Sequence, residues 1–571
     1  MDYTLEKIKQ HLLDIIIEAF GQEVDRTKVE IEAPPTPEMG DLAVPCFYFT
    51  KVNRISPNQN AVGLKEKIHP KGIIKKVENV GPYLNFYLNS RFLSKQVLKE
   101  IAKKADRYGA RKLSKEKRET IMLEYSQPNT HKEFHVGHLR NAILGSALVN
   151  LYRSQGYKVI AANYIGDIGS HVAKCLWALE KFHQDEEPET GRGKFLGKVY
   201  AEAVNKTEAD PEAKKEADAV QQKLENGDKK WLALWKKTRM WSLDDFNRIY
   251  AILGAKFDKF FYESEVEKPG KKIVGELLER GIAEKSEGAV IINLEKYNLK
   301  NFLLLKSDGS SLYSTKDLAL AELKFKKYKL DRSYVLIDTR QDFYFQQLFK
   351  TLEVMGFTQK MDTILYEFVT LKDGAMASRK GNVVLFDDFY KEVVERATAE
   401  TKKRHSDWEE KKIEETATKI ALAAIKLSML KSGNESVIVF DIDEALSFDG
   451  YSGPYLQYTV SRVNSILKKE TPRNIKEINF GKLNLLLEKQ LVLELSKFPE
   501  ALSNAAKEFQ PSQVAKYLFD LARMFSSYYQ AVPILNSEEA VKQARLLLIT
   551  EIKQVLVNGL ELLGIPILEQ M

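Results

Sequence analysis

Two histidines three residues apart, His135 and His138, stand where a polar loop gives way to a helical pattern of apolar residues. Residues 129–138 read NTHKEFHVGH, and a helix is predicted to begin near Val136. This pattern has three interpretations: a pair of zinc ligands, an ordinary polar helix start, or an anion site. A zinc site needs further ligands, and no third one lies nearby in sequence.

The anion interpretation follows from the chemistry of a helix N-terminus. Free backbone N–H groups and the positive end of the helix dipole attract phosphate. Imidazoles there can donate hydrogen bonds to phosphate oxygens, and Gly137 would let a ligand approach the backbone closely. On spacing alone, the three interpretations stay open.

The elements that must position these histidines form the most regular pattern in the chain. A strand is predicted over 121–125, a polar loop over 126–134, a helix over 136–154 and a second strand over 158–162. Strand, loop, helix and strand in this order make the βαβ unit of a parallel sheet. The first loop then lies at the carboxyl ends of the strands, where such sheets bind ligands.

Three domains are predicted around this unit. Residues 1–110 form an α+β unit, with apolar positions at helical spacing from Leu5 to Ile16 and a β-rich stretch over 77–88 that turns at Gly81-Pro82. Residues 111–394 form a Rossmann-like parallel-sheet domain with a charged helical insertion at about 183–250. Residues 395–571 form a helical bundle. The basic linker at 111–118 is either a solvated hinge or an RNA contact.

Further elements are predicted from the same patterns. Additional strand signals in the sheet domain lie over 289–293, 302–306, 334–337 and 363–371. The bundle helices are predicted over 413–430, 455–468, 484–498, 513–531 and 537–563.

Length and composition exclude several classes of protein. The 571 residues are 44% hydrophobic and 29% charged, which rules out a disordered chain and a collagen. Two cysteines are too few for a disulfide framework or a four-cysteine zinc site, so a reducing compartment is expected. The net charge of +7 permits a polyanionic partner without demanding one. We expect a cytoplasmic protein, because neither a signal peptide nor a membrane span is evident.

The motif His135-Val-Gly-His138 resembles the HIGH signature of class I aminoacyl-tRNA synthetases. The wider run 129–144 (NTHKEFHVGHLRNAIL), followed by 164–174 (YIGDIGSHVAK), resembles the arginyl-tRNA synthetase family in particular. The run from Gly453 to Tyr458 and the ending 563–571 resemble the anticodon-binding domain of that family. Residues 38–41 and 81–85 resemble its N-terminal domain, which contacts the tRNA elbow.

The second signature of the class is a mobile Lys-Met-Ser-Lys-Ser-like loop, and 375–381 (AMASRKG) is similar to it. Such a loop brings a cation to the developing charge of the triphosphate, whereas an ordinary basic hairpin would have no such role. By resemblance, Met376 and Ser378 adjoin ATP, and a strand is predicted over 382–386. The copy here is degenerate, because Ala377 replaces the usual first serine. The resemblance therefore leaves three candidates for the catalytic cation: Lys132, Arg379 and Lys380.

A guanidinium is a planar fork of five donors and is always ionised, so a site selecting it needs carboxylates and other oxygen acceptors. Such residues fall at predicted strand ends or adjoining helix starts, and the resemblance assigns them to the arginine side chain. They are Glu124, Tyr313, Asp317 and Gln341, with Asn129 near the α-amino end. Tyr313 and Asp317 are four apart, so both project from one helix face.

The resemblance implies an arginine–tRNA ligase that uses ATP with Mg²⁺, holds no metal tightly and charges tRNA(Arg). The chain length and the net charge of +7 are compatible with a monomer. His135 and His138 would stabilise the phosphate during arginyl-adenylate formation, with Gly137 beside the nucleotide. Two alternatives stay open: a catalytically impaired paralogue that binds tRNA or acts as a scaffold, and a synthetase of the same class for another amino acid.

Overall fold

An antiparallel sheet of three strands and four helices form the N-terminal part of the chain. The structure is a computed structural model that describes residues 3–114, 116, 118–184, 186–372 and 384–571. The helices are α1 (Thr4–Phe20), α2 (Phe47–Asn53), α3 (Pro57–Lys67) and α4 (Ser90–Lys104), and the strands are β1 (Leu42–Pro45), β2 (Ile74–Val80) and β3 (Tyr83–Leu88). Val80 pairs with Tyr83 across the turn at Gly81, which confirms the predicted β-rich stretch. Gly81 has a φ of 55°, which costs a glycine little.

The central domain is built on a parallel sheet of five strands in the order β11-β10-β4-β5-β6. These strands are β4 (Thr120–Glu124), β5 (Lys158–Ile165), β6 (Lys259–Tyr262), β10 (Arg332–Asp338) and β11 (Lys360–Tyr366). Glu124 is in register with Ala162 on one side and with Val335 on the other. The carboxyl ends of three adjacent strands therefore meet at one edge, and the predicted βαβ unit is confirmed.

Helices connect and cover this sheet. They are α5 (Val136–Ser154), α6 (Ser170–Phe182), α7 (Arg192–Ala209), α8 (Pro211–Glu225), α9 (Lys229–Leu253), α10 (Glu263–Glu279), α11 (Tyr313–Tyr328) and α12 (Asp342–Met355). Helix α5 matches the predicted range, and its buried residues include Leu139, Ile143, Ala147 and Leu148. Helices α7, α8 and α9 account for the predicted charged insertion. A small antiparallel sheet of β7 (Glu284–Ser286), β8 (Ala289–Ile292) and β9 (Phe302–Leu305) precedes α11.

Two strand predictions need correction. The predicted strand over 363–371 is two strands, because the chain leaves the main sheet after Tyr366. Its second part, β12 (Val369–Leu371), pairs with β13 (Ile438–Phe440) from the C-terminal part instead. The strand predicted over 382–386 does not form in its described part. Leu385 makes only an isolated bridge to His135, and the next residue already begins a helix.

The C-terminal part is helical apart from β13, as predicted. Its helices are α13 (Phe386–Arg404), α14 (Glu410–Leu430), α15 (Ile442–Leu446), α16 (Gly453–Leu467), α17 (Leu486–Lys507), α18 (Pro511–Ala531) and α19 (Glu539–Leu562). The predicted boundary at residues 394 and 395 falls inside α13 and stays a prediction. None of the described helices is both long and apolar enough to cross a bilayer.

Arg140 joins α5 to the C-terminal part. This arginine is 1% exposed, and its guanidinium donates to the backbone carbonyls of Glu367, Phe368, Asn434 and Ser436. The first two carbonyls lie at the break between β11 and β12, and the other two precede β13. One charged side chain therefore donates hydrogen bonds to the backbone carbonyls where two parts of the chain meet.

Replacing Arg140 with leucine should destabilise this junction, because several buried carbonyls would lose their donors at about 1–3 kcal/mol each. We expect a clear fall in the midpoint of thermal unfolding, measured by calorimetry. The matched control is Arg473→Leu, where an exposed side chain loses one surface ion pair to Glu539. Equal effects of the two substitutions would contradict a special role for Arg140.

Candidate active site

A cavity of about 480 Å³ opens at the carboxyl edge of the parallel sheet. The four residues predicted for the arginine side chain line it, as does Asn129, which was predicted near the α-amino end: Glu124, Tyr313, Asp317, Gln341 and Asn129. They come from the end of β4, the following loop, α11 and the turn after β10. The tertiary structure thus brings residues that are up to 217 positions apart in sequence into one wall, from Glu124 to Gln341.

Other polar residues of the cavity were missed by the sequence analysis. They are Gln127, Tyr164, Glu263, Lys324, Arg340 and Tyr344. The spacing on α11 could have revealed one of them, since Lys324 follows Asp317 by seven residues and so lies on the same helix face. The others follow from tertiary contacts alone.

Asp317 is the carboxylate of the cavity wall that has no ion pair within the described residues. Its carboxylate accepts a hydrogen bond of 2.5 Å from the hydroxyl of Tyr344. Burial raises the pKa of Asp317 to about 6, because a carboxylate loses hydration in the cavity wall. A cation that binds beside it would favour the ionised form.

The other two carboxylates of the cavity already have cations. The Nζ atom of Lys324 lies 2.6 Å from Oε2 of Glu124, and both side chains are almost fully buried. Gln127 donates to the second oxygen of Glu124 at 2.9 Å. Lys316 donates to Glu263, whose pKa is nevertheless raised to about 7 by burial.

Tyr164 adds an unsatisfied polar atom. Its hydroxyl lines the cavity, is buried and has no hydrogen-bond partner among the described residues. Burial raises the pKa of Tyr164 well above its usual range, so the hydroxyl keeps its proton at neutral pH. Such a group is available to a ligand that offers a hydrogen-bond partner.

Asn129 is placed by a close backbone contact. A Cβ atom on Gly166 would lie 2.1 Å from Oδ1 of Asn129, so this approach requires glycine. The backbone N–H of Thr130 donates to the carbonyl of Gly166 at 2.9 Å. The next residue, Asp167, is anchored by Arg239 and Ser264 at 2.7 Å each. The segment 164–174, on which the family resemblance partly rests, thus contains the glycine that supports Asn129.

The tip of α5 presents the two histidines as a stacked pair with ring centroids 3.7 Å apart. Each Nδ1 accepts the backbone N–H of the other residue at 3.3 Å, which caps the helix. Because Nδ1 is an acceptor in each ring, the proton of each neutral imidazole lies on Nε2. Burial, with Lys132 nearby, lowers the pKa of His135 to about 4 and that of His138 well below its usual range. Both rings are therefore neutral Nε2–H donors at pH 7.

The structure explains the glycine at position 137 differently from the sequence analysis. A Cβ atom at this position would lie 2.9 Å from Cε1 of His135. Contacts this close are avoided, so glycine is needed for the stacked arrangement of the two rings. A ligand's approach to the backbone is a second use of the same space.

The loop between β4 and α5 is strained and is held by the insertion. Ser126, Gln127 and His131 have φ values of 76°, 49° and 62°, which are unfavourable for residues other than glycine. Helix α9 supplies the compensating contacts. The backbone N–H of His131 donates to Ser242 at 2.9 Å, and the Ser126 hydroxyl lies 2.7 Å from that of Tyr250. The insertion therefore shapes the catalytic loop, which the sequence pattern did not indicate.

The candidate cations are only partly described. Lys132 lies beside the histidines, with Nζ 5.0 Å from the ring centroid of Tyr200 in the insertion, and burial lowers its pKa. The predicted residues Met376, Ser378, Arg379 and Lys380 lie in 373–383, outside the described residues. The cavity and the α5 tip are adjacent, because Arg340 lines the cavity and also lowers the pKa of His135.

A second cavity, of about 600 Å³, lies in the C-terminal part. Tyr458, Arg462, Tyr529 and Met571 are among its lining residues. The Cζ atom of Arg462 lies 4.6 Å from the ring centroid of Tyr458 and 5.2 Å from that of Tyr529. Tyr455, by contrast, packs against Phe519 and lies 3.1 Å from the hydroxyl of Ser526.

Comparison with known proteins agrees with this geometry. Residues 98–442 match the family model of class I (R) tRNA synthetase catalytic domains, and residues 456–571 match the DALR anticodon binding domain. Residues 6–88 match the arginyl tRNA synthetase N-terminal domain. The fold and the matched catalytic domain define a class I aminoacyl-tRNA synthetase.

Individual relatives narrow this class. The chain is 37% identical to the arginine–tRNA ligase of Clostridium botulinum over 575 residues, with 100% of each chain covered. It is 37% identical to that of Bdellovibrio bacteriovorus over 548 residues, covering 94% of this chain and 93% of the relative. The solved arginyl-tRNA synthetase of Thermus thermophilus superposes with a TM-score of 0.81 at 27% identity, covering 98% and 100% of the two chains.

The chain therefore belongs to the arginyl-tRNA synthetase family, and its activity is that of an arginine–tRNA ligase with arginine, ATP and tRNA as substrates. The resemblance drawn from the sequence and the predicted fold class are both confirmed. The degenerate loop at 375–381 is the sequence feature that favoured an inactive paralogue, and the full-length match to arginine–tRNA ligases outweighs it.

Gly137→Ala should impair catalysis without loss of the fold. The added Cβ would displace the ring of His135, and a shift of about 1 Å in a catalytic group can lower kcat by about 100-fold. The measurement is arginine-dependent ATP–pyrophosphate exchange. Gly275→Ala in α10 is the matched control, because a Cβ there meets nothing within 4 Å. Unchanged exchange in Gly137→Ala would refute the stacking role.

Proposed function

We propose that the cavity binds the arginine side chain and that the reaction takes place between it and the adjoining tip of α5. The observation that carries this proposal is the convergence of Glu124, Asn129, Tyr313, Asp317 and Gln341 on one cavity. The fork of guanidinium donors needs several oxygen acceptors, and Asp317 needs a cation. A neutral side chain would leave the charge of Asp317 uncompensated.

The proposed chemistry is adenylate formation followed by transfer. The carboxylate of arginine attacks the α-phosphorus of ATP, which gives arginyl-adenylate and releases pyrophosphate. His135 and His138 donate from Nε2 to phosphate oxygens, with the positive end of the α5 dipole behind them. A ribose hydroxyl of the terminal tRNA adenosine then takes the arginyl group and AMP leaves. Positioning and charge stabilisation suffice, so no side-chain nucleophile is invoked.

Two further groups belong to the ATP site in this proposal. Lys132 is the candidate cation with structural support, because it lies close enough to depress the pKa of His135 and His138. Arg379 and Lys380 stay candidates from the sequence, as do Gly137, Met376 and Ser378 for contact with ATP. Magnesium prefers oxygen ligands, which the imidazole tip does not offer, so the ATP phosphates would carry it.

We propose that tRNA(Arg) contacts both terminal parts of the chain. An arginine between two tyrosine rings suits unpaired bases, so Tyr458, Arg462 and Tyr529 are the candidates for base contacts. Tyr455 is the weaker candidate, because its ring and hydroxyl are already used. The domain boundaries at 110 and 394, the monomeric state and the cytoplasmic location are part of the same proposal.

The role of Asp317 predicts how arginine binding depends on pH. With a pKa of about 6 in the free enzyme, Asp317 is ionised above that pH and adds no further pH dependence to arginine binding there. Below it, protonation competes with the guanidinium, so the KM for arginine should rise about tenfold per pH unit. The measurement is exchange kinetics from pH 5 to pH 8 with saturating ATP.

Asp317→Asn should raise the KM for arginine by at least about tenfold at pH 7 and abolish the rise below pH 6. Glu322→Gln, on the exposed side of the same helix, is the control. The assignment fails if Asp317→Asn binds arginine normally or keeps the acidic limb of the profile.

His138→Ala should slow adenylate formation by about 100- to 1,000-fold, since one preorganised donor to the developing charge is lost. Arginine affinity should change little, because the ring does not line the cavity. Rapid-quench measurement of adenylate separates the two effects, and His11→Ala on the exposed face of α1 is the control. A large loss of arginine affinity with normal chemistry would contradict the assignment.

A further inference from the structure

The charges around the cavity form a nearly matched set. Three carboxylates line it: Glu124, Glu263 and Asp317. Two buried lysines of α11 pair with the first two, Lys324 with Glu124 and Lys316 with Glu263. Arg340, also in the wall, is held by both oxygens of Asp338 at 2.7 Å. Among the described carboxylates of the wall, Asp317 is the one without an ion pair, so a further positive charge beside it would balance the set.

The Glu124–Lys324 pair is buried more deeply than an ordinary ion pair. The side chains of Lys324 and Glu124 are 2% and 3% exposed, whereas most ion pairs of this chain lie at the surface. Both residues line the cavity, so the pair faces the proposed ligand rather than the core alone. Burying a lysine is costly unless a carboxylate compensates it, so removing either partner would leave an uncompensated buried charge.

The contacts of Glu124 also determine which of its acceptor sites remain for a ligand. Lys324 engages Oε2 and Gln127 donates to Oε1, so each oxygen has one partner. An ionised carboxylate has about four acceptor sites, and those left over can accept from a guanidinium. A protonated carboxyl group would instead present an O–H donor to the N–H donors of the ligand. Glu124 is therefore useful to a guanidinium only while it stays ionised.

We propose that Lys324 is a positioning residue for arginine recognition, which compensates the charge of Glu124 and orients its carboxylate so that it can accept hydrogen bonds from the guanidinium. This inference rests on the proposed assignment of the cavity to the arginine side chain. The Nζ atom of Lys324 contacts Oε2 of Glu124 at 2.6 Å, so the effect of Lys324 on arginine would pass through Glu124. Its position on the Asp317 face of α11 lets one helix supply both the free carboxylate and the cation that controls the second carboxylate.

The proposal predicts a selective loss of arginine affinity. In Lys324→Met the buried Glu124 loses the cation that compensates and orients it, so we expect the KM for arginine to rise by at least tenfold. The KM for ATP should stay within twofold, because the α5 tip is untouched. Lys324→Arg keeps the charge and should stay within threefold of the wild-type KM for arginine.

A double-mutant cycle shows whether Lys324 acts through Glu124. Glu124→Gln should raise the KM for arginine, and the double variant Glu124→Gln/Lys324→Met should match Glu124→Gln alone. Additive losses would overturn the proposal, because they would mean an independent role for Lys324. A KM for arginine in Lys324→Met that is unchanged or lower would overturn it as well.

Lys426→Met is the matched control for the loss of a buried lysine. Lys426 lies in α14, where its Nζ donates to the carbonyl of Gly564, remote from the cavity. The substitution Lys426→Met should lower thermal stability without changing the KM for arginine. If Lys324→Met and Lys426→Met change only stability, Lys324 is merely structural and the proposal fails.

The same measurements separate this proposal from the assignment of the cavity. If Asp317→Asn and Glu124→Gln both leave the KM for arginine unchanged, the cavity does not bind the side chain and both proposals fail. If those two variants lose affinity while Lys324→Met does not, the positioning role alone is overturned.

Discussion

A buried carboxylate without a cation is the constraint on which the active site depends. Asp317 lies in the wall of a cavity where hydration is reduced, and a tyrosine hydroxyl supplies its hydrogen bond but no charge. An isolated charge in such surroundings is unfavourable, so the free enzyme is poised to take up either a proton or a cationic ligand. Under the proposed assignment, the guanidinium of arginine provides the charge and the donors together. Selectivity for arginine would then follow from the missing cation as much as from the acceptors that are present.

At the neighbouring α5 tip, the side chains are neutral hydrogen-bond donors, whereas Asp317 is a charged acceptor. Burial keeps both imidazoles neutral, and the backbone N–H groups that they accept direct their protons to Nε2. Donors of this kind serve a phosphate without a change of protonation during the reaction. The loop that leads to this tip adopts positive φ values, and helix α9 compensates the strain through hydrogen bonds. The charged insertion is thereby part of the catalytic architecture rather than an appendage.

The C-terminal part is tied to the same helix. Arg140 follows His138 by two residues and binds backbone carbonyls on both sides of the β12–β13 pairing. Asn434, one of the residues that it contacts, donates to Phe509 at the junction of α17 and α18. A continuous set of hydrogen bonds therefore runs from the C-terminal helices to the helix that carries His135 and His138. This arrangement gives the C-terminal part a rigid connection to the reaction site.

The sequence by itself determined the βαβ unit, the helix that carries His135 and His138, the helical C-terminal part and the family. These features depend on local periodicity and on residues close together in the chain, where the chemistry of a helix start or a strand end is already visible. It also identified five lining residues, because strand ends and helix starts converge at one edge of a parallel sheet. The segment at 363–371 was misassigned since a pattern of apolar residues does not reveal which sheet a strand joins.

Only the tertiary structure decided the charge balance of the cavity and the support of the catalytic loop. The pairs Glu124–Lys324 and Glu263–Lys316 join residues 200 and 53 positions apart, and no local pattern couples them. The hydrogen bond from His131 to α9 likewise depends on how an insertion packs against a loop that is distant in sequence. Burial decides whether a charge is costly and whether a lysine is a partner or a solvated surface group. Burial is a property of the packed molecule, so these features could not be read from the order of residues.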